Sequence, residues 1–207
     1  MKLAYLLLAG LTLMLPAVAG AQKASADVPP DQLVKNVTNE VLDIIRTDKD
    51  IQSGSSKRVI SLVEAKVLPH FNFTRMTQLA MARDWRVAAP AQQKTLTDEF
   101  RALLVRTYSK ALTEYKNQTI EFKPFSVKAE DTDVKVRTQV IQSGAKPITL
   151  DYFLEKQAQG WKVYDIEVGG ISLVTNYRES FASEVRKSGI DGLISSLQTK
   201  NRGTEKQ

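Results

Sequence analysis

The sequence predicts an α+β protein in which a helical half is followed by an antiparallel sheet and then by further helices. Two observations lead to this prediction. Apolar residues recur at spacings of three and four over residues 30–115, as expected for helices with one buried face. From Ile120 to Val168 the period changes to two, and helical spacing returns after Gly170. Helices and strands that occupy separate stretches of a chain are typical of α+β folds.

The first half is predicted to form four helices. Pro30 suits the first turn of an amphipathic helix, and the Ser/Gly run at Ser53–Ser56 separates that helix from a second one. Asn72 is the predicted N-cap of a short third helix. The longest helix begins at Pro90 and extends to about Tyr115, with acidic residues near its start and lysines near its end.

The sheet is predicted to have four strands joined by short turns, which gives an antiparallel meander. Pro124 predicts that the first strand is an edge strand or a broken one, because proline cannot donate to a neighbouring strand. The strands with their alternating residues are Ile120–Phe122, Val134–Val140, Ile148–Glu155 and Trp161–Val168. After Gly169 and Gly170 we expect a helix that Gly189 ends, and then a last short helix.

The N-terminal segment Met1–Ala21 has the features of a secretory signal peptide. A short positive region at Lys2 is followed by an apolar run too short to span a bilayer comfortably, and small residues precede a favoured cleavage after Ala21. An uncleaved membrane anchor is the alternative. The remainder, 22–207, is predicted to be a single domain, with a helical part at about 30–116, the sheet at about 118–168 and C-terminal helices at about 171–199.

Composition excludes several kinds of chemistry. With no cysteine and only His70, the chain cannot form a disulfide framework, a thiolate zinc site or a multi-histidine metal site. It contains no phosphate-binding loop and no dinucleotide or nucleophile-elbow motif. We therefore expect no metal, no cofactor and no ATP-driven step in this chain. Because the chain is expected to be exported, its net charge of +6 suits anionic lipid headgroups or acidic partners rather than nucleic acid.

Two groups of titratable residues are candidates for catalysis. His70 would be the general base of an enzyme, or else a partly buried side chain at a bend, which we favour. The strand residues Asp151, Asp165 and Glu167 are expected to be surface charges paired with Lys135 or Arg137. We thus predict no catalytic residue and no enzyme activity, with a small-molecule enzyme that uses His70 or an aspartate as the alternative.

The apolar residues of the sheet and of the long helix allow two interpretations. They form a close-packed core, as in a ligand-free adaptor protein, or they enclose a cavity for an apolar ligand between a curved sheet and the helix that covers it. Composition and periodicity leave both interpretations open.

Three separated blocks of sequence, in the right order, resemble the MlaC or toluene-tolerance family. They are Pro69–Tyr115, Trp161–Phe181 (WKVYDIEVGGISLVTNYRESF) and Gly189–Asn201 (GIDGLISSLQTKN). The resemblance covers most of the exported chain and is weak only at about residues 22–56. One departure stands out, because Gly169 occupies the position of the family's usual glutamate, so that we assign no role to the nearby Glu167.

The resemblance implies a soluble carrier of phospholipid in the periplasm of a Gram-negative bacterium, acting in the maintenance of outer-membrane lipid asymmetry. Its sheet would be strongly curved, like the cone of nuclear transport factor, and the helices would close an apolar cavity over it. The implied partners are phospholipid, an inner-membrane ABC transporter complex with a lipid-binding subunit, and an outer-membrane lipoprotein–porin complex. We expect a monomer whose only ligand is phospholipid.

The resemblance also assigns lipid-contacting residues. Tyr108 on the long helix, Ile148 on the third strand and Ile171 at the strand-to-helix turn are carried over from the family. Five more are added because they face the same space in the predicted geometry: Leu104, Leu150, Tyr152, Val168 and Val174.

Overall fold

The computed structural model describes residues 28–115 and 117–203. The predicted signal peptide at residues 1–21, its cleavage site and the last four residues lie outside this range. Within it, the order of elements is the predicted one, helices followed by a sheet followed by helices.

The helical half begins with α1 and ends with α5. The N-cap predicted at Asn72 is present, because its side chain accepts a hydrogen bond from the backbone of Arg75, and Ser55 of the Ser/Gly run caps α3 by accepting one from Arg58. A short helix between the first two predicted ones was not expected. The helices are α1 (Pro30–Thr47), α2 (Lys49–Gln52), α3 (Ser56–Lys66), α4 (Phe73–Met81) and α5 (Pro90–Thr113), with 3-10 turns at Leu68–His70 and Ala82–Val87.

The sheet is an unclosed antiparallel meander of five strands in the order of the chain, with β1 and β5 at its edges. The strands are β1 (Thr119–Phe122), β2 (Asp133–Ile141), β3 (Ile148–Gln157), β4 (Gly160–Val168) and β5 (Ile171–Ser172). A bulge between β3 and β4 at Phe153 and Leu154 shifts the register, and such bulges increase the local twist of a sheet. The sequence predicts four strands, and the structure adds β5 as a fifth.

The fifth strand replaces the start of a predicted helix. Gly169 and Gly170 both have positive φ, 60° and 83°, and connect two directly paired residues, Val168 and Ile171. Two residues of positive φ between paired strands are typical of a type I′ hairpin turn, which matches the twist of the strands. Helix α6 (Arg178–Gly203) starts only after a further 3-10 turn at Thr175–Tyr177. It breaks at Gly189, as predicted.

Three apolar clusters hold these elements together. One joins α4, α5 and α6 around Phe100, and a second joins the first three helices to one side of α5. The third places Val34 of α1 against Val136 and Leu154 of the sheet. The backbone also connects the two halves directly, because Phe71 bridges to Val163 and the Asn72 amide donates to the Val163 carbonyl over 2.8 Å.

Candidate functional site

The strand residues predicted to contact lipid lie on one face of the sheet. Directly paired residues project to the same side of a sheet. Ile148 is paired with Val140, Leu150 with Val168, and Val168 with Ile171, so that all belong to one face together with Tyr152, which is paired with Val136. The structure thus brings five of the eight predicted residues together: Ile148, Leu150, Tyr152, Val168 and Ile171.

Helix α1 covers only one end of this apolar face. At that end Val136 and Leu154 are fully buried beneath Val34. At the other end the exposed fractions are 51% for Ile148, 37% for Val168 and 62% for Ile171. A contiguous group of large exposed apolar side chains commonly marks a site that binds a protein, a membrane or an apolar ligand.

Tyr152 lies at the border between the covered and the open part of the face. Burial raises its pKa to about 12, and its hydroxyl group forms a side-chain hydrogen bond with Thr38 of α1. The phenol is therefore neutral at physiological pH. Its ring contributes apolar surface while its polar end is satisfied by the helix above it.

The other three predicted residues lie in the core formed by α4, α5 and α6. Leu104 and Val174 are buried there, and Tyr108 packs against the same cluster. The pKa of Tyr108 is raised to about 12, first by burial and then by the neighbouring phenol of Tyr177, with which it forms a hydrogen bond. In this conformation Leu104 and Val174 contact protein atoms, so they do not join the open part of the apolar face.

The opposite face of the sheet carries charged residues. Lys135 Nζ lies 2.9 Å from Asp151 and 3.0 Å from Glu167, and it sits over the ring of Phe153. The prediction that these two acids are surface charges paired with Lys135 is confirmed. For Asp165 it was wrong, because the chain after β5 covers that residue and its carboxylate contacts Ser172 instead.

A network of polar side chains joins α4 to this charged face. The guanidinium of Arg75 donates to Asp133 over 2.8 Å and to Glu155, and it lies over the ring of Tyr164. Asn72 also donates to Glu155. Although burial opposes the shift, these donors hold the pKa of Glu155 below its ordinary value.

His70, the catalytic alternative, lies half-buried in the 3-10 turn after α3, with its amide bonded to the Val67 carbonyl. Burial and the nearby charge of Lys162 lower its pKa, so that the imidazole is neutral near pH 7. Its place at a chain bend agrees with the structural interpretation. Within the described residues, no group of three acidic or histidine side chains could hold a metal ion.

Two hollows occur among the helices, and neither touches the predicted lipid contacts. One of about 340 Å³ is lined by Leu68, Phe73 and Arg101 among others, and the second, of about 240 Å³, lies between Ile51 and Leu112. None of the helices in the described ranges is long and apolar enough to cross a bilayer.

These features define a class of protein: an α+β domain with one unclosed antiparallel sheet, charged on one face and apolar on the other, where helices cover the apolar face only in part. A family model described as MlaC protein matches residues 35–199, which is well over half of the chain. The chain belongs to the MlaC family.

Relatives of known name agree with this assignment. The chain is 24% identical over 191 residues to the intermembrane phospholipid transport system binding protein MlaC of Haemophilus influenzae, covering 91% of this chain and 89% of that protein. It is 26% identical over 164 residues to toluene tolerance protein ttg2D of Pseudomonas putida, covering 78% and 75%. A solved phospholipid-binding protein from Ralstonia solanacearum, in complex with a phospholipid, is 41% identical, with a TM-score of 0.78 over 87% of this chain and 98% of that one.

Sequence reasoning missed the polar contacts around β5. Asp165 and Ser172 meet only because Gly169 and Gly170 form a hairpin turn that pairs β5 with β4. The signal for this turn was present, since two glycines between apolar residues are a recognised hairpin pattern. The same glycines also suit the boundary of a helix, so the sequence alone predicts a helix there.

Proposed function

We propose that the protein is a phospholipid carrier of the bacterial periplasm, which binds acyl chains against the apolar face of its sheet and moves lipid between the two membranes. The observation that carries this proposal is the uncovered end of that face, where Ile148, Val168 and Ile171 are exposed together. A stably folded protein gains nothing from leaving these side chains in water, so an apolar ligand is the natural partner.

The energetics suit acyl chains. Each methylene removed from water contributes about 0.8 kcal/mol, so a few buried methylenes offset much of the cost of ordering one chain. Ile148, Val168 and Ile171 would contact the chains first, with Leu150 and Tyr152 as the floor. Tyr108, Leu104 and Val174, which lie in the helical core and not on this face, would contact lipid only if that core opens when lipid enters.

The relatives support the same function. The Ralstonia protein, which matches this chain over most of its length, holds a phospholipid, and the Haemophilus protein is named as part of an intermembrane phospholipid transport system. By extension, the partners would be an outer-membrane lipoprotein–porin complex and an inner-membrane ABC transporter complex. Because this chain has no nucleotide-binding motif, energy for directed transport would come from the transporter.

The test is direct. Protein purified from the periplasm of a Gram-negative host should release glycerophospholipid on solvent extraction, and native mass spectrometry should show one protein chain with lipid bound. Delipidated protein should take up lipid again from vesicles of phosphatidylethanolamine and phosphatidylglycerol. Protein that is free of lipid and also fails to take it up would exclude the proposal.

One variant separates this function from the enzyme alternative. His70→Gln removes the only imidazole while keeping a polar side chain of similar reach at the bend. We expect lipid uptake and growth in the presence of detergent to stay at the wild-type level. If growth is lost while lipid binding is intact, a catalytic role for His70 gains support and the carrier proposal becomes insufficient.

A further inference from the structure

A buried carboxylate lies directly behind the open end of the apolar face. Asp165 on β4 is 6% exposed, and its Oδ2 lies 2.5 Å from the hydroxyl of Ser172 on β5. Its Oδ1 accepts a hydrogen bond of 2.8 Å from the Ile166 amide. A charged group in such a position is costly unless hydrogen bonds satisfy it.

The direction of each hydrogen bond follows from the number of protons available. Ser172 Oγ accepts from the amides of Val174 and Thr175, at 3.2 and 2.8 Å. A serine hydroxyl has one proton and two acceptor sites, so the remaining proton must point to Asp165. Both carboxylate oxygens then act as acceptors, an arrangement that stabilises the ionised form.

These bonds fix a short segment that connects the open face to the core. Ile171, at its start, is among the exposed residues of the apolar face, whereas Val174, three positions later, is fully buried. The segment continues into the 3-10 turn that ends at Tyr177, whose ring packs edge-to-face on Phe100 at 5.2 Å. Any movement of Ile171 away from the sheet must therefore disturb the Asp165–Ser172 pair.

We propose that Asp165 and Ser172 are positioning residues, which hold the Ile171–Thr175 segment so that Ile171 stays at the edge of the lipid-binding face and slows lipid release. The predicted effect on lipid release rests on the proposed function. The effect of the pair on the segment can be tested without lipid. No contact between Asp165 and lipid is required.

The groups around Asp165 determine how pH should act on the pair. Glu167 on the same strand is bound to Lys135 of β2, while Tyr164 and Tyr108 of α5 present phenols, and Tyr108 is bonded to Tyr177. Burial, opposed by the hydrogen bonds and assisted by the charge of Glu167, raises the pKa of Asp165 above its ordinary value. Protonation removes one acceptor, so lipid release should become faster as the pH falls.

The experiment measures transfer of pyrene-labelled phosphatidylethanolamine from the protein to phosphatidylcholine vesicles. Asp165→Asn keeps the shape but replaces one acceptor by a donor, and Ser172→Ala removes the hydroxyl. Each should speed transfer about three- to tenfold, the effect of losing roughly one hydrogen bond. Ser172→Thr keeps the hydroxyl and should restore the wild-type rate. Glu167→Gln is the matched control, because it also neutralises an acid on β4, and its rate should stay within twofold.

Two further measurements make the outcome decisive. The wild-type rate should rise as the pH is lowered, and this dependence should be absent in Asp165→Asn. Amide hydrogen exchange should become faster at Val174 and Thr175 in both disruptive variants. Unchanged transfer and a retained pH dependence in these variants would overturn the proposal. If wild-type protein binds no lipid, the proposed function fails, and exchange at the two amides alone decides whether the pair holds the segment.

Discussion

Val168 and Ile171 face each other directly across the last strand pair of the sheet, separated along the chain only by Gly169 and Gly170. Both side chains are exposed and belong to the apolar face. A two-residue turn thus presents two large aliphatic groups to solvent at the end of the sheet that α1 leaves uncovered. Ile148 lies on the neighbouring strand β3, two residues before Leu150, which is paired with Val168. Its exposed side chain completes this group of three.

A charge on this face should reduce lipid binding. We expect Ile148→Asp and Ile171→Asp each to lower the lipid retained after purification at least severalfold, because a carboxylate placed against acyl chains must be desolvated without a partner. Thr149→Asp is the matched control, since Thr149 is exposed beside Ile148 but projects to the opposite face. Phosphate analysis of extracted lipid measures the effect. Equal lipid contents in all three variants would contradict the placement of the site.

Replacement of Arg75 should destabilise the connection between α4 and the sheet. Arg75→Met keeps the aliphatic length but leaves Glu155 and Asp133 without their donor. We expect a loss of about 1–2 kcal/mol in the free energy of unfolding, more than an exposed ion pair contributes. Lys94→Gln, which breaks an exposed pair with Asp98 on α5, is the control and should cost about 0.5 kcal/mol or less. Urea titration of each variant tests the difference.

The same variant should change how stability depends on pH. The pKa of Glu155 is depressed in the folded protein, so its contribution to stability is present above the unfolded value near 4.5 and is lost as the pH falls through the folded value. Without Arg75 that contribution is smaller. The fall in unfolding free energy below about pH 4.5 should therefore be shallower in Arg75→Met than in the wild type, and parallel curves would refute this account.

Gly169 should tolerate asparagine far better than valine. Its φ of 60° lies in the left-handed region, and a Cβ at this position would meet no atom within 4 Å, so the cost of substitution is that of the backbone alone. Gly169→Val should lower the free energy of unfolding by about 1–2 kcal/mol, whereas Gly169→Asn should cost only a few tenths. Thermal unfolding of the two variants is the measurement. A similar loss in both would mean that the turn is not of the inferred type.

Replacement of Ala82 by glycine should stabilise the protein. This residue follows α4 with φ 49° and ψ −123°, a conformation that strains any residue with a Cβ. Relief of that strain exceeds the greater chain entropy of glycine, so Ala82→Gly should raise the free energy of unfolding by about 0.5–2 kcal/mol. Ala65→Gly, in the exposed last turn of α3, is the control and should lower it by up to about 1 kcal/mol. Denaturation curves that show a loss in both would contradict the strain argument.

The order and type of the main elements could be predicted because periodicity records which side chains are buried. The long helix from Pro90 and the strands around Val136 and Leu150 follow this pattern over many residues. β5 could not be predicted in the same way, because a strand of two residues has no period. Its existence depends on pairing with β4, which is a tertiary interaction.

The residues of the candidate site could be predicted to a similar extent. Alternation correctly grouped Ile148 with Leu150 and Val168 on one face. It did not indicate where helices would cover that face, and hence which of these side chains would be exposed. The burial of Asp165 was missed for the related reason that the covering segment, residues 173–177, follows its strand in the chain and folds back over it.

The first and last helices both contact parts of the chain that are distant in sequence, and this affects folding. Val34 of α1 packs against Val136 and Leu154, and Asn201 near the end of α6 donates to Glu99, 102 positions earlier. Contacts of such long range delay folding until distant segments of the chain can meet. A chain that ends before α6 lacks the cover of Phe100, so its core cannot close. We therefore expect a chain that lacks α6 to stay unfolded and thus able to pass through a secretion channel.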